Sequence, residues 1–315
     1  MQYRFALVGN PNCGKTTMFN EITGSTQYVG NWPGVTIEKK EGKARKFKED
    51  IRIIDLPGIY SLSPYSMEEI IARDYIIDEK PDVIINILDA TNIERNLYLT
   101  TQVIELGIPV VVVLNIMDEV ESRGDSIDTK ELEKFLGTPV LCTSANKGKG
   151  VSDVVQKALE LAQTAAVKAA NERVCIFDEK IEKCITEVEG KISSYLKEKH
   201  YSRWAAIKLL EGDEKAKEKL NIPSELLTEI DEYKDRLEKE YDNDMETMVA
   251  DNRYRFISHI VGKTVKKKSG RGELTLSDKI DRVVTNKFLA IPLFLAVMFA
   301  VFQVTFGAIG SFTID

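Results

Sequence analysis

The sequence Gly9-Asn10-Pro11-Asn12-Cys13-Gly14-Lys15-Thr16 matches the pattern GxxxxGK[ST] without a mismatch, with Thr17 directly after it. It follows an apolar run at 3–8 and opens a helical pattern at 15–23. In that setting the glycines let backbone N–H groups wrap a phosphate, and the helix N-terminus adds a favourable dipole. Lys15 is the residue to bridge β- and γ-phosphate oxygens, and Thr16 the residue to ligate Mg²⁺. Asp55-Leu56-Pro57-Gly58, after the apolar run 51–54, has the DxxG spacing. There Asp55 supports Mg²⁺ through water and the Gly58 amide senses a γ-phosphate.

A third motif selects the base. Asn115-Ile116-Met117-Asp118 follows the apolar run 110–114, at the carboxyl end of a strand, where open α/β sheets bind ligands. The Asp118 carboxylate can accept from guanine N1 and N2, donors that adenine lacks at those positions. Ile116 stands where many GTPases have a lysine over the base. Thr143-Ser144-Ala145 completes the set, with the Ala145 amide expected to face guanine O6. Four motifs in this order imply GTP and GDP as ligands, with Mg²⁺.

The elements that must carry these motifs alternate. Apolar runs at 3–8, 51–54, 83–88 and 110–114 and a short one at 139–142 read as strands; helical patterns lie at 15–23, 67–78, 95–107, 128–136 and from 151 to about 170. An extra strand at 38–48 is expected to pair with 51–55 through a turn at 48–50. Alternating β and α elements imply a mostly parallel sheet, here six-stranded, with helices on both faces. The expected class is therefore an α/β P-loop GTPase domain over 1–170. Residues 171–262 are charged and helical in period, and predict an all-α bundle of four or five helices, one starting at Pro223-Ser224. A basic linker and an amphipathic helix fill 263–287, with Lys263, Lys266, Lys267, Lys268 and Arg271. From 288 to 314 no residue is charged, a stretch exceeding the roughly 20 residues that span a bilayer. The expectation is a first transmembrane helix over 288–315, in a chain truncated before further spans. Basic residues beside a span mark the cytoplasmic side; here they read either as a solvated linker or as a contact with anionic membrane lipid.

Composition narrows the class. With 43 basic and 50 acidic side chains and a net charge of −7, the chain lacks the basic footprint of a nucleic-acid binder. Four cysteines without CxxC spacing read as reduced thiols rather than a disulfide framework. Cys13, at a helix start near Lys15, admits a reactive role, but a small side chain that fits the loop is the simpler reading. No secretory signal opens the sequence. His200 and His259 are isolated.

The hydrolytic step is less plain. Ras-like proteins carry a glutamine directly after DxxG; here Ile59 and Tyr60 follow, and Ile59 cannot polarise water. Turnover is expected to be slow. Asn12, in a P-N-x-G-K context, resembles the asparagine of translation-factor-class GTPases that hold K⁺ against the phosphates, a cation in place of an arginine finger.

The stretch Tyr28-Val29-Gly30-Asn31-Trp32-Pro33-Gly34-Val35-Thr36, with GNPNCGKTTMFNEITG before it and DLPGIYSLSPYSMEE after it, resembles the ferrous iron transport protein B (FeoB) family over essentially the whole chain. The resemblance implies that Gly34, Val35 and Thr36 contact nucleotide. Thr36 would be a Mg²⁺ ligand beside Thr16 and Asp55, and Asn12 would hold K⁺ with backbone oxygens of Gly30 and Trp32. Asn12, Lys15, Thr36 and Gly58 would act in hydrolysis. The bundle would be a GDP-dissociation-inhibitor-like domain. It further implies a prokaryotic inner or plasma membrane location with the GTPase domain on the cytoplasmic side. Implied partners are the remaining membrane domain, a small accessory protein of the same system and a second copy of the chain. Two other readings stay open from the residues: a soluble translation-class GTPase, and a non-hydrolysing GTP switch coupled to another membrane partner.

Overall fold

The computed structural model describes residues 2–24, 27–165, 174–196, 199–268, 284 and 290–306. The chain runs β1 (Gln2–Gly9), α1 (Lys15–Thr23), β2 (Gln27–Asn31), β3 (Glu38–Lys43), β4 (Asp50–Asp55), α2 (Met67–Glu79), β5 (Val83–Asp89), α3 (Ile93–Glu105), β6 (Val110–Asn115), α4 (Met117–Arg123), β7 (Ser126–Ile127), α5 (Thr129–Leu136), β8 (Val140–Cys142) and α6 (Val151–Ala165). Five helices follow: α7 (Glu179–Ile192), α8 (Ser202–Glu211), α9 (Glu214–Leu220), α10 (Ser224–Tyr241) and α11 (Met245–Thr264), then β9 (Val265–Lys266).

The sheet has the order β2-β3-β4-β1-β5-β6-β8. Seven strands replace the expected six. The additional one, β2, comes from the segment 27–31, where Gly30 and Asn31 break any apolar alternation; antiparallel pairing with β3 supplies what propensity does not. The expected pairing of the 38–48 region with 51–55 is present as β3 against β4. The other pairs, β1 with β4 and β5, β5 with β6, and β6 with β8, are parallel.

Because side chains alternate across a strand, the solid apolar runs of the central strands serve two cores. Phe5, Leu7, Ile85, Ile87, Val111 and Val113 face α1 and α6. Ala6, Val8, Ile84, Leu88, Val112 and Leu114 face α2 and α3, and that cluster continues without a break into Ile181, Trp204 and Ile257 of the helical bundle. Residues 1–266 accordingly form one compact unit. The bundle is held to the sheet layer by β7 against β9 and by a buried cation: Arg253 on α11 meets Glu105 of α3 at 2.8 Å and Glu211 of α8 at 3.2 Å.

The second unit is described over α12 (Ala290–Phe306), a helix of 17 residues. No described helix is long and apolar enough to cross a membrane. Residues 166–170, Arg271, and 277–287 apart from Val284 lie outside the described residues.

Candidate nucleotide site

The register of the parallel strands brings the sequence motifs to one edge. Leu7 lies opposite Asp55, Gly9 opposite Ile87, Asp89 opposite Asn115, and Leu114 opposite Cys142. The loops carrying Asn10, Leu56, Ile116 and Thr143 therefore all leave at the carboxyl end of the sheet.

The phosphate loop is a cradle that side chains would fill. Gly14 has φ +85°, and a Cβ there would sit 2.2 Å from Asn115 Nδ2; a Cβ on Gly9 would sit 2.4 Å from the Ile87 carbonyl oxygen. Asn12 also takes a left-handed conformation, φ 67°. No side chain caps the start of α1 at Gly14, so its first amides remain available to an anion. Lys15 is buried and donates to the Asp55 carboxylate and the Leu56 carbonyl. Thr16 and Thr17 are exposed on the first turn. Asn10 is buried, and its Nδ2 has no partner. Cys13 is fully buried, and burial pushes its thiol up to about 11. That leaves it a neutral packing group, as the simpler reading of the sequence has it.

The DxxG segment leaves β4 pressed against this loop. The Ile59 amide donates to the Gly9 carbonyl at 3.2 Å, and a Cβ on Gly58 would meet Pro11 Cα at 3.3 Å. Ile59 is 2% exposed and belongs to the core. The residue in the glutamine position thus points its side chain away from solvent instead of merely failing to polarise a water. The segment then runs over α3. Arg95 lies 4.5 Å from the Tyr60 ring centroid, and the Leu62 amide donates to Gln102 Oε1 at 2.6 Å. Farther on, Tyr65 donates to Glu246 at the start of α11.

The Gly30–Thr36 stretch is a hairpin. Gly30 lies opposite Lys39 in the β2–β3 ladder. Trp32 N donates to the Ile37 carbonyl at 2.9 Å, and the Trp32 carbonyl accepts from Val35 N at 3.2 Å. The Trp32 ring is buried edge-on against Tyr75, 5.4 Å between centroids. Gly34 has φ +76°, which the turn requires, and Thr36 is exposed. Among the described residues no hydrogen bond joins Gly30, Trp32 or Thr36 to Asn12.

The loops that carry NxxD and Thr143-Ser144-Ala145 are joined by the densest set of hydrogen bonds. Asn115 Nδ2 donates to the Cys13 carbonyl at 2.9 Å, while its Oδ1 accepts from Thr143 Oγ1 and from the Ala145 amide, each at 3.0 Å. The Ala145 amide, expected to face the base, is directed to Asn115 instead. Ile116 takes φ 64°, Met117 N donates to the Thr143 carbonyl at 3.1 Å, and Asp118 N donates to Ser144 Oγ at 3.2 Å. Asp118 Oδ2 pairs with Lys147 at 2.8 Å, and Oδ1 is buried without a partner. The hydrogen bond from Lys147 holds the Asp118 carboxyl below its ordinary range. Lys147 was missed from the sequence; a lysine two residues beyond Ala145 was the available signal. A buried carboxylate oxygen in want of a donor, beside a glycine cradle lined by amides, fits a guanine nucleotide. The exposed Thr16 hydroxyl next to the Lys15–Asp55 pair fits the oxygen donors that Mg²⁺ takes.

The chain matches known proteins along most of its length. Residues 3–158 match the family model described as ferrous iron transport protein B, and residues 177–266 match that of the FeoB cytosolic helical domain. The Fe(2+) transporter FeoB of Methanocaldococcus jannaschii is 42% identical over 99% of this chain, which spans 46% of that protein. A Fe(2+) transport protein A/Fe(2+) transporter FeoB fusion protein of Porphyromonas gingivalis is 39% identical over 99% of this chain, which spans 38% of it. The chain therefore spans less than half the length of these relatives. Among solved structures, NFeoB from S. thermophilus bound to GDP·AlF4⁻ and K⁺ is 43% identical, with a TM-score of 0.74 over 82% of this chain and 99% of that one. With both family models matched in order and an NFeoB structure covered almost entirely, this chain belongs to the ferrous iron transport protein B family.

Proposed function

We propose that this chain is the GTP-binding and GTP-hydrolysing cytoplasmic part of a prokaryotic ferrous iron transporter, slow in turnover and stimulated by K⁺. The observation that carries the nucleotide reading is the unpartnered, buried Asp118 Oδ1 beside the Asn115 hub. It is an acceptor that the N1 and N2 donors of a guanine base would satisfy. Lys15 binds the β- and γ-phosphates by exchanging Asp55 and Leu56 for phosphate oxygens, and the loop amides from Asn12 to Thr16 hold the remaining charge. Gly58, kept against Pro11, offers its amide to the γ-phosphate. Thr16, Thr36 and Asp55 are the residues that would hold Mg²⁺, and Asn12 with the Gly30 and Trp32 carbonyls is the set that would hold K⁺; the cations would supply neutralisation of developing phosphate charge.

The apolar run 288–314 is assigned to the first membrane span, with the basic residues before it on the cytoplasmic side near anionic lipid. The remaining membrane domain, a small accessory protein of the same system and a second copy of the chain are the proposed partners. The fused P. gingivalis relative supports the accessory protein.

The test is single-turnover GTP hydrolysis by the 315-residue chain in K⁺ and in Na⁺, with Asn12→Ala alongside. Faster turnover in K⁺, with the difference abolished in Asn12→Ala, is expected. Equal rates in the two salts remove the potassium mechanism, and absence of GTP binding removes the whole reading.

A further inference from the structure

Ile59 is buried, so the DxxG segment has no side chain at that position to orient an attacking water. Whatever it contributes beyond the Gly58 amide must come from where its backbone is held. Besides Ser61 Oγ, which donates to Glu69 of α2 at 3.0 Å, three supports hold it over residues 59–62. The Ile59 amide is on the Gly9 carbonyl, the Tyr60 ring is under Arg95, and the Leu62 amide is on Gln102 Oε1. The last two come from one helix. Arg95 and Gln102 are seven positions apart, two turns of α3, and so share a face. Gln102 is 1% exposed and committed to this contact, with its Nε2 buried and unpartnered. Arg95 is exposed and makes no ion pair among the described residues; its guanidinium is spent on the Tyr60 ring.

We propose that the Arg95–Gln102 face of α3 is the mount that fixes the DxxG segment for hydrolysis, with Arg95 a positioning residue acting through Tyr60. The proposal rests on the GTPase reading above. Arg95 touches no reacting group; it sets the backbone two residues beyond Gly58, so it governs the rate of the chemical step and not the affinity for nucleotide.

The experiment compares the 315-residue chain with Arg95→Ala, Arg95→Lys, Tyr60→Leu, Tyr60→Phe and the Arg95→Ala/Tyr60→Leu pair in K⁺ buffer. It measures single-turnover rate, KM and affinity for a fluorescent GDP analogue. A lost exposed cation–π contact corresponds to about a two- to fivefold fall in turnover. That fall is expected in Arg95→Ala and in Tyr60→Leu, with KM and GDP affinity unmoved and the double variant no slower than either single one. Arg95→Lys and Tyr60→Phe, which keep a cation over a ring, should restore most of the rate. An unchanged rate in Arg95→Ala overturns the proposal, as do losses that multiply in the double variant or that follow nucleotide affinity. A wild-type chain that binds GTP without hydrolysing it in K⁺ fails the underlying reading instead, a result distinct from any of these.

Discussion

Asn115 Nδ2 donates to the Cys13 carbonyl at 2.9 Å across 102 residues of sequence, and this one amide ties the strand that carries NxxD to the glycine-rich loop before α1. Its other end, Oδ1, gathers Thr143 and Ala145. The side chain is buried and bonded at both ends, so three of the four motifs are braced through one residue. Gly14 is part of the same joint, since only the lack of a Cβ lets Asn115 approach it.

Asn115→Ala should therefore act as an affinity mutation. It strips partners from Thr143 Oγ1 and the Ala145 amide, both buried, and orphaned buried groups cost about 1–3 kcal/mol each. Affinity for GDP is expected to fall at least roughly tenfold, the equivalent of about 1.4 kcal/mol, together with a clear loss in melting temperature from the orphaned groups. Titration with a fluorescent GDP analogue decides it; affinity within twofold of wild type would mean that the loops hold their positions without the joint.

Asp118→Asn tests the base contact. The unpartnered Oδ1 becomes an amide donor or a single acceptor, which suits xanthine better than guanine. GTP should weaken relative to xanthosine triphosphate. Because the Lys147 hydrogen bond lowers the wild-type carboxyl, the charged form persists through the ordinary carboxylate range, and guanine preference is lost only as pH falls through that depressed value. An unchanged preference in the variant would remove the base-reading role.

What was legible in the sequence was what repeats a pattern. The runs at 83–88 (apolar but for Asn86) and 110–114 are so apolar because β5 and β6 are covered on both faces, and the motifs are fixed by loop geometry that tolerates few residue types. What stayed hidden depends on partners. β2 exists through its ladder with β3 and not through its own residues. Ile59 occupies a position whose motif points to the phosphates, and only the packing of the DxxG turn shows that it faces the core. Arg253 and Glu105 are 148 positions apart, beyond any local signal.

That pair gives a stability prediction. Arg253 is 1% exposed between Glu105 and Glu211, and removing one member of a buried ion pair costs about 3–5 kcal/mol. Arg253→Met should lose that much in urea unfolding, loosening the bundle from α3. Burial by itself raises the Glu211 carboxyl, but Lys208 and Arg253 outweigh it and hold it below its ordinary value of 4.5. A lowered carboxyl stabilises above its unfolded value and loses that contribution as pH falls through the folded one. The gap between wild type and Arg253→Met should accordingly narrow below pH 4.5. A loss under about 1 kcal/mol at neutral pH would show that the triad only breaks even against its desolvation.

The contact between Tyr65 and Glu246 joins the DxxG segment to the bundle, and it gives the sharpest test of whether the bundle restrains nucleotide exchange. The hydrogen bond to Glu246, with some burial, raises the Tyr65 phenol to about 12, so it remains a donor at every working pH. The side chain is exposed, and Tyr65→Phe should change stability by only about 0.5–1.5 kcal/mol. If the bundle restrains this segment, GDP should leave the variant about two- to fivefold faster, with hydrolysis per bound GTP little changed. Tyr241→Phe is the matched control. It removes a phenol–carboxylate bond of 2.8 Å to Asp178 that lies wholly within the bundle, and should leave GDP release as it was. Stopped-flow release of a fluorescent GDP from the three chains separates the cases. Equal acceleration in both variants would mean a general loosening of the bundle, and no acceleration in Tyr65→Phe would mean that restraint, if exerted, passes through the buried contacts of α2 and α3.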